Sequence, residues 1–281
     1  MKKYISLILV LLLAGSILSA CQNQPAAVTG SSAPAENKTI KIGASPSPHA
    51  EILEKVKPVI EAQGYTLEII EFTDYKQPNY ALADGSLDAN YFQHVPYLRN
   101  MAENEKLDIA SAGGIHYEPM GVFPGRTTSL ANLQDGAKIA VPNDGTNEGR
   151  ALWLLDSIGL ITMKPDAGFE CTILDIAENP RNFEIIEMEA AQIPRSLDSV
   201  DLGVINGNYA LMAELNVTEH ALAKEEADSR AAGTYVNVIA VRKGDENGEK
   251  ATALLSALQS DEVKTFIEEK YKGAVIPRFG E

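Results

Sequence analysis

Apolar residues fall into three regimes along the chain. Residues 5–13 form an apolar run interrupted only by Ser6 (Ile-Ser-Leu-Ile-Leu-Val-Leu-Leu-Leu), residues 22–38 hold Val28 as their only larger aliphatic, and from Thr39 onward short apolar runs alternate with helical spacing. Residues 39–44 read as a first strand. Ser47 then has the character of an N-cap with Pro48 at the first helical position, followed by Ile52, Val56, Val59 and Ile60 on one face and a stop at Gly64. Strand-like segments recur at 66–72, 87–92, 107–112, 137–141, 183–188, 201–205 and 235–241, with helical patterns between them. Two helices close the chain, 249–259 and 261–272, the second with Asp261 as cap and Val263, Phe266 and Ile267 on its apolar face. No repeat appears past residue 38. This alternation predicts an α/β protein built on largely parallel sheets.

The first regime has the form of an export signal. Lys2 and Lys3 precede an apolar run of signal-peptide length, and Leu18-Ser19-Ala20-Cys21 ends it with small residues before a cysteine, as in a bacterial lipobox. Cleavage before Cys21 would leave that thiol to carry a diacylglyceryl thioether. An uncleaved anchor, or an ordinary secretory signal followed by a chance cysteine, are the alternatives; the apolar stretch from Tyr4 to Ala20 is near the lower limit of the ~20 residues that span a bilayer. Residues 21–38 cannot bury enough apolar surface to offset ordering and read as a flexible tether, about 20–25 Å across if random coil.

The 281 residues carry 24 Lys+Arg against 39 Asp+Glu, a formal charge of −15. Losing residues 1–20 removes Lys2 and Lys3 and leaves −17 on 261 residues. Such an acidic chain lacks the clustered cations that a nucleic-acid backbone requires. Of the two cysteines, Cys21 is the lipidation candidate and Cys171, in an apolar setting, is expected in the core; no intramolecular disulfide remains. His49, His94, His116 and His220 lie 45, 22 and 104 positions apart with no cysteine cluster, so no metal site or cofactor is expected. A glycine-rich phosphate loop and a G-x-S-x-G elbow are both missing from the sequence, which weighs against an enzyme.

Binding chemistry concentrates after predicted strands, where open α/β sheets place ligand loops. In 141–150 a strand runs into Pro142-Asn143-Asp144-Gly145-Thr146, and Asn147 is placed to cap a helix that buries Leu152, Leu155 and Ile158. Free N–H groups there, with Arg150 in the first turn, suit a carboxylate; an Arg150 ion pair with a nearby acidic side chain fits the sequence equally well. Phe72-Thr73-Asp74-Tyr75 and Asn90-Tyr91-Phe92-Gln93-His94 bring flat rings together, with Phe92 and His94 on one face of an extended stretch, a setting for an apolar or thioether side chain or for plain core packing. Asn206, at a strand end, and Asn237, among β-branched residues, offer amide donors and acceptors. A turn is the other explanation for Asn206.

Pro48-His49-Ala50-Glu51-Ile52-Leu53, Glu71-Phe72-Thr73-Asp74-Tyr75, Gln77-Pro78-Asn79, Leu87-Asp88-Ala89-Asn90-Tyr91-Phe92-Gln93-His94, Pro142-Asn143-Asp144, Val204-Ile205-Asn206-Gly207-Asn208-Tyr209-Ala210 and Gly273-Ala274-Val275-Ile276-Pro277 together resemble the NlpA-type lipoproteins, the methionine-binding receptors of ABC importers. The resemblance runs from about Ile40 to Phe279. It implies a two-lobed, periplasmic-binding-protein-like (type II) α/β fold with the ligand between the lobes: residues 39–125 plus 237–281 in the first, 126–236 in the second. It further implies that Tyr75, Phe92 and His94 cradle a thioether, that Arg150 with Asn147 holds the carboxylate, and that Asn206 and Asn237 fix the amino and carboxylate groups. Partners so implied are L-methionine, a permease with its ATPase subunit, and a membrane reached through lipid on Cys21 at the extracytoplasmic face; a monomer is expected. Ser47 departs from the glycine usual in the Pro-x-Pro-His turn, and Arg230-Ala-Ala-Gly-Thr departs from the usual approach to Tyr235. A receptor for D-methionine or a methionine-containing dipeptide, an enzyme on the same fold, and a surface lipoprotein without a small ligand remain as rival readings.

Overall fold

A computed structural model describes residues 38–280. The export signal, Cys21 and all of the tether but Lys38 lie outside the described residues. Within them the chain runs β1 (Thr39–Ala44), α1 (Glu51–Ala62), β2 (Thr66–Glu71), α2 (Gln77–Ala83), β3 (Ala89–His94), α3 (Val95–Asn104) and β4 (Ile109–Tyr117). It continues through β5 (Gly121–Pro124), β6 (Lys138–Pro142), α4 (Asn147–Ser157), β7 (Thr162–Met163), β8 (Ile176–Glu178), β9 (Glu184–Met188), β10 (Leu202–Ile205), α5 (Gly207–Met212), α6 (Val217–His220), β11 (Ala223–Lys224) and α7 (Arg230–Thr234). Then β12 (Val236–Arg242), α8 (Glu249–Leu258), α9 (Asp261–Tyr271) and β13 (Ile276–Gly280) complete it. No helix among the described residues is long and apolar enough to cross a membrane.

The strands form a six-stranded sheet in the order β13-β4-β12-β3-β1-β2 and a five-stranded sheet in the order β11-β5-β10-β6-β9, with β7 and β8 pairing separately. These are the sheets of a two-lobed α/β fold. Its chain crosses between them twice: at Glu118–Met120, from β4 to β5, and after Lys224, from β11 to β12. Since β5 already pairs with β10 through Gly121–Pro124, the first crossing precedes residue 125.

Both sheets are mixed where largely parallel ones were expected, and the crossings explain it. β1 runs parallel to β2 and β3, and β6 parallel to β9 and β10. β5 and β12, the strands that follow the crossings, are antiparallel to their neighbours β10, β3 and β4. A chain leaving one lobe at the cleft enters the other where its parallel strands end, so it must run the opposite way. That arrangement gathers strand ends and crossings around the cleft.

Local signals were read with small displacements. On α1 the buried residues are Ile52, Leu53, Val56 and Ile60, whereas Val59 is 41% exposed. At about 100° per residue, Val59 lies just beyond the arc that the other four span. Ser47 keeps the extended angles of a residue before a helix, but makes no capping bond to it. Helix α9 is capped by Ser260, whose hydroxyl accepts from the Val263 N–H, with Asp261 already in the first turn. Cys171 is buried in the same apolar core cluster of the second lobe as Met163, Leu152 and Leu155, as its apolar setting implied.

Ile60→Ala should cost about 2–5 kcal/mol of stability, the usual cost of a cavity in a packed core. Val59→Ala, at the neighbouring exposed position, should stay within about 0.5 kcal/mol. Urea unfolding of both variants measures this, and equal losses would contradict the facing of α1.

Candidate functional site

The first-lobe wall is set by the loop before α2. Asp74 Oδ1 accepts from the Lys76 and Gln77 N–H groups at 2.8 and 2.9 Å, which starts α2 and holds Tyr75 at the cleft. Behind it, Asn79, Asn90 and Gln93 form a buried amide cluster with bonds of 2.6–2.8 Å. The Tyr75 ring stacks on Tyr209 of the second lobe, 4.8 Å between centroids, and meets Phe92 at 5.9 Å and Tyr97 at 5.5 Å. These rings make an aromatic slot.

His94 ends β3 and caps α3: its Nδ1 accepts the Tyr97 N–H at 3.1 Å. An acceptor at Nδ1 places the proton of a neutral imidazole on Nε2, which donates to Asn147 Oδ1 at 3.0 Å. Burial, with the charge of Arg150 in support, lowers the His94 pKa to about 3.

On the second lobe Asp144, not Asn147, caps α4. Its Oδ1 accepts from the Asn147 N–H at 3.0 Å and from the Asn147 side chain at 2.9 Å, and it also takes the Thr146 N–H and hydroxyl. Asn147 sits one position inside the helix, and its amide is thereby oriented. With Nδ2 held by Asp144, Oδ1 receives His94 Nε2 and, at 2.8 Å, Asn206 Nδ2. Asn206 precedes α5 without capping it. Among the described residues its Oδ1 is buried with no partner, and so is Nδ2 of Asn208, whose own Oδ1 accepts from the Tyr75 hydroxyl at 2.6 Å. One free acceptor and one free donor therefore line the cleft.

Arg150 realises the ion pair that its sequence context allowed. Nε donates to Glu225 Oε1 at 2.9 Å, and Nη2 donates to Glu225 Oε2 at 2.6 Å and to the Glu118 carbonyl at 2.7 Å. Nη1 makes none of these bonds. The guanidinium lies 4.3 Å over the Tyr235 ring. Burial disfavours its charge, but Glu225 outweighs that and holds the group above its ordinary pKa.

Glu118 lies in the first crossing and lines the cleft. His116 Nε2 approaches its Oε1 at 2.7 Å, and His49 Nε2 lies 3.3 Å from that oxygen and 3.1 Å from Asn237 Oδ1. Tyr91 donates to His116 Nδ1. Burial lowers His49 to about 4 and His116 to about 3, so both imidazoles are neutral donors at pH 7. Burial also raises the Glu118 carboxyl above its ordinary value, with His49 and Arg150 working the other way. His49, His116 and Glu118 are all metal-ligating types, but these hydrogen bonds account for their facing atoms. Gly207 abuts this carboxylate: a Cβ there would lie 2.9 Å from Glu118 Oε2.

The cleft is tightly closed, with a cavity of about 20 Å³. Tyr75, Phe92, His94, Arg150, Asn206 and Asn237 all line it, whereas Asn147 acts from behind through His94 and Asn206. Sequence reasoning missed Gln93, Tyr97, Glu118, Gly207 and Asn208 as lining residues, and Glu225 as the partner of Arg150. Asn208 and Tyr97 were legible in principle, two and three positions past chosen residues. Glu118 carried a weaker signal, an acidic residue directly after a strand with a buried end and before Pro119. Glu225 gave none, since 75 positions separate it from Arg150.

Relatives of known structure share this architecture. A lipoprotein from Ruminococcus gnavus is 54% identical, with a TM-score of 0.85 over 86% of this chain and 99% of its own. A nutrient binding protein from Burkholderia cenocepacia, solved bound to methionine, is 45% identical, with a TM-score of 0.81 over 85% and 100%. The methionine-binding lipoprotein MetQ of Bacillus subtilis is 39% identical over 281 residues, 99% of either chain. The family model of the NlpA lipoprotein matches residues 40–279. With that match spanning both sheets and every residue of the cleft, the chain belongs to the NlpA lipoprotein family.

Proposed function

We propose that this protein is the substrate-binding lipoprotein of an ABC importer, enclosing methionine between its lobes and delivering it to the permease. The observation that carries this reading is the pairing of an aromatic slot with unsatisfied polar atoms of both kinds in one cleft between the lobes. Tyr75, Phe92 and Tyr97, with His94 at the edge, receive the thioether, since sulfur packs favourably on ring edges. The carboxylate takes Arg150 Nη1 and Asn208 Nδ2. The ammonium takes Asn206 Oδ1 and Glu118, with Asn237 holding His49 and closing that end. Asn147 orients two of these partners without reaching the ligand.

The names of the relatives support this assignment: a methionine-binding lipoprotein and a protein solved with methionine. They also support a binding protein over an enzyme. In the working form the chain is a monomer, anchored by lipid on Cys21 at the extracytoplasmic face and partnered by a permease and its ATPase. A charge of −17 on the processed chain is compatible with a zwitterion held by locally paired charges.

Native mass spectrometry of protein purified without refolding should show retained methionine, and calorimetry should rank L-methionine above D-methionine and Gly-Met. A dipeptide mass would favour the dipeptide receptor, and no thermal shift with any amino acid would sink the reading. Glu118→Gln should weaken L-methionine binding about 10–100-fold, because a bond to a charged group is worth about 1.5–3 kcal/mol. Binding of 4-(methylthio)butanoate, which lacks the ammonium, should change far less. Arg150→Ala should lose about 3–5 kcal/mol of folding stability as well as affinity, since it leaves Glu225 buried without its cation. A variant as stable as the parent in urea would contradict that double role.

A further inference from the structure

Arg150 and Glu225 are 4% and 7% exposed at their side chains, and their bonds reach further than an ion pair requires. Glu225 directly follows β11, at the start of the second crossing. Its Oε2 accepts from the Tyr117 hydroxyl at 2.7 Å and from the Met120 N–H at 2.9 Å, the first at the end of β4 and the second the last residue of the first crossing. Arg150 itself donates to the Glu118 carbonyl within that crossing. One guanidinium, on a second-lobe helix, is thus bonded to both segments that connect the lobes.

We propose that Glu225 is a positioning residue for ligand recognition: by holding Nε and Nη2 of Arg150 it fixes the plane of the guanidinium that lines the cleft and binds it to both crossings. This rests on the reading of the cleft as an amino-acid site. The geometry admits little substitution. Both Glu225 oxygens accept from Arg150 N–H groups, so a glutamine in either amide orientation sets an NH₂ against a donor. The guanidinium must then rotate, and the nitrogen offered to the ligand carboxylate changes place. A rigid fork tolerates this poorly, because its donors lie in one plane with fixed directions. The ligand carboxylate and the crossings consequently compete for, and are aligned by, the same planar group.

The test compares Glu225→Gln with the parent for L-methionine and L-methioninamide, by calorimetry, with thermal unfolding of each protein without ligand. The amide keeps the thioether and ammonium but removes the carboxylate. Positioning predicts that preference for the acid over the amide falls about tenfold or more in the variant. Both ligands weakening alike, with the preference changed less than about threefold, would mean that Glu225 only stabilises the fold and would overturn the proposal. Should Glu225→Gln fail to fold, Glu225→Asp retains the charge but is one methylene too short to reach both nitrogens and the crossing, and the same threefold criterion applies. A parent that binds neither ligand would overturn the amino-acid reading of the cleft itself, and this proposal with it.

Discussion

Asp144 fixes the direction of most hydrogen bonds in the cleft, because four donors converge on its Oδ1 and leave it nothing to do but accept. Asn147 must then present Nδ2 to Asp144 and Oδ1 to the cleft. His94, whose Nδ1 is committed to capping α3, must carry its proton on Nε2 to meet that oxygen. Asn206 must likewise offer its NH₂ to Asn147, and its own oxygen is left over. Reversing any amide in this series would set donor against donor or acceptor against acceptor in a buried setting, where an unmet polar group costs about 1–3 kcal/mol. The free acceptor at Asn206 is therefore the end of a chain of forced choices that begins with a helix cap.

A second constraint comes from topology. Parallel strands end at the cleft, so loops and helix starts from both lobes point into it, while the two crossings pass beside it and send β5 and β12 back antiparallel. Glu118 is drawn into the site this way, as a residue of the first crossing, and Gly207 permits α5 to approach it because a Cβ there would meet the carboxylate. Contacts from both lobes then meet across the mouth: Tyr75 with Asn208, Tyr209 with the Thr73 carbonyl, and His94 with Asn147. Tyr75, His94 and Asn208 both line the cleft and make these lobe contacts, so on the proposed reading occupancy of the cleft would be coupled to its closure.

The sequence conveyed the fold class well because strand runs and helical faces repeat local signals; residues 39–44 and 249–258 are read almost residue for residue. It conveyed the site through residues that stand out chemically in short motifs, such as His94 after an aromatic pair and Asn206 at a strand end. What escaped were relations between distant positions. Asn147 and Asp144 are both good caps on composition, and only the path of the turn selects Asp144. Glu225 becomes visible only when β11 places it beside α4. The mixed sheets likewise follow from where the chain crosses, which periodicity does not encode.

Charge accounting ties these levels together. Arg150 and Glu225 cancel within a buried pair, and His49, His94 and His116 are held neutral, so Glu118 and Asp144, both pushed upward by burial, are the acidic groups left to be answered near the cleft. Asp144 is already answered by backbone and amide donors, whereas Glu118 is answered by two neutral imidazoles and by the distant half of a guanidinium. On the proposed reading the ligand's ammonium answers Glu118 and its carboxylate answers Arg150 and Asn208, all of which line the cleft. A simple anion would meet the second end and aggravate the first, a simple cation would do the reverse, and a group carrying both charges would answer the two together, with the rings at Tyr75, Phe92 and Tyr97 left to receive its side chain.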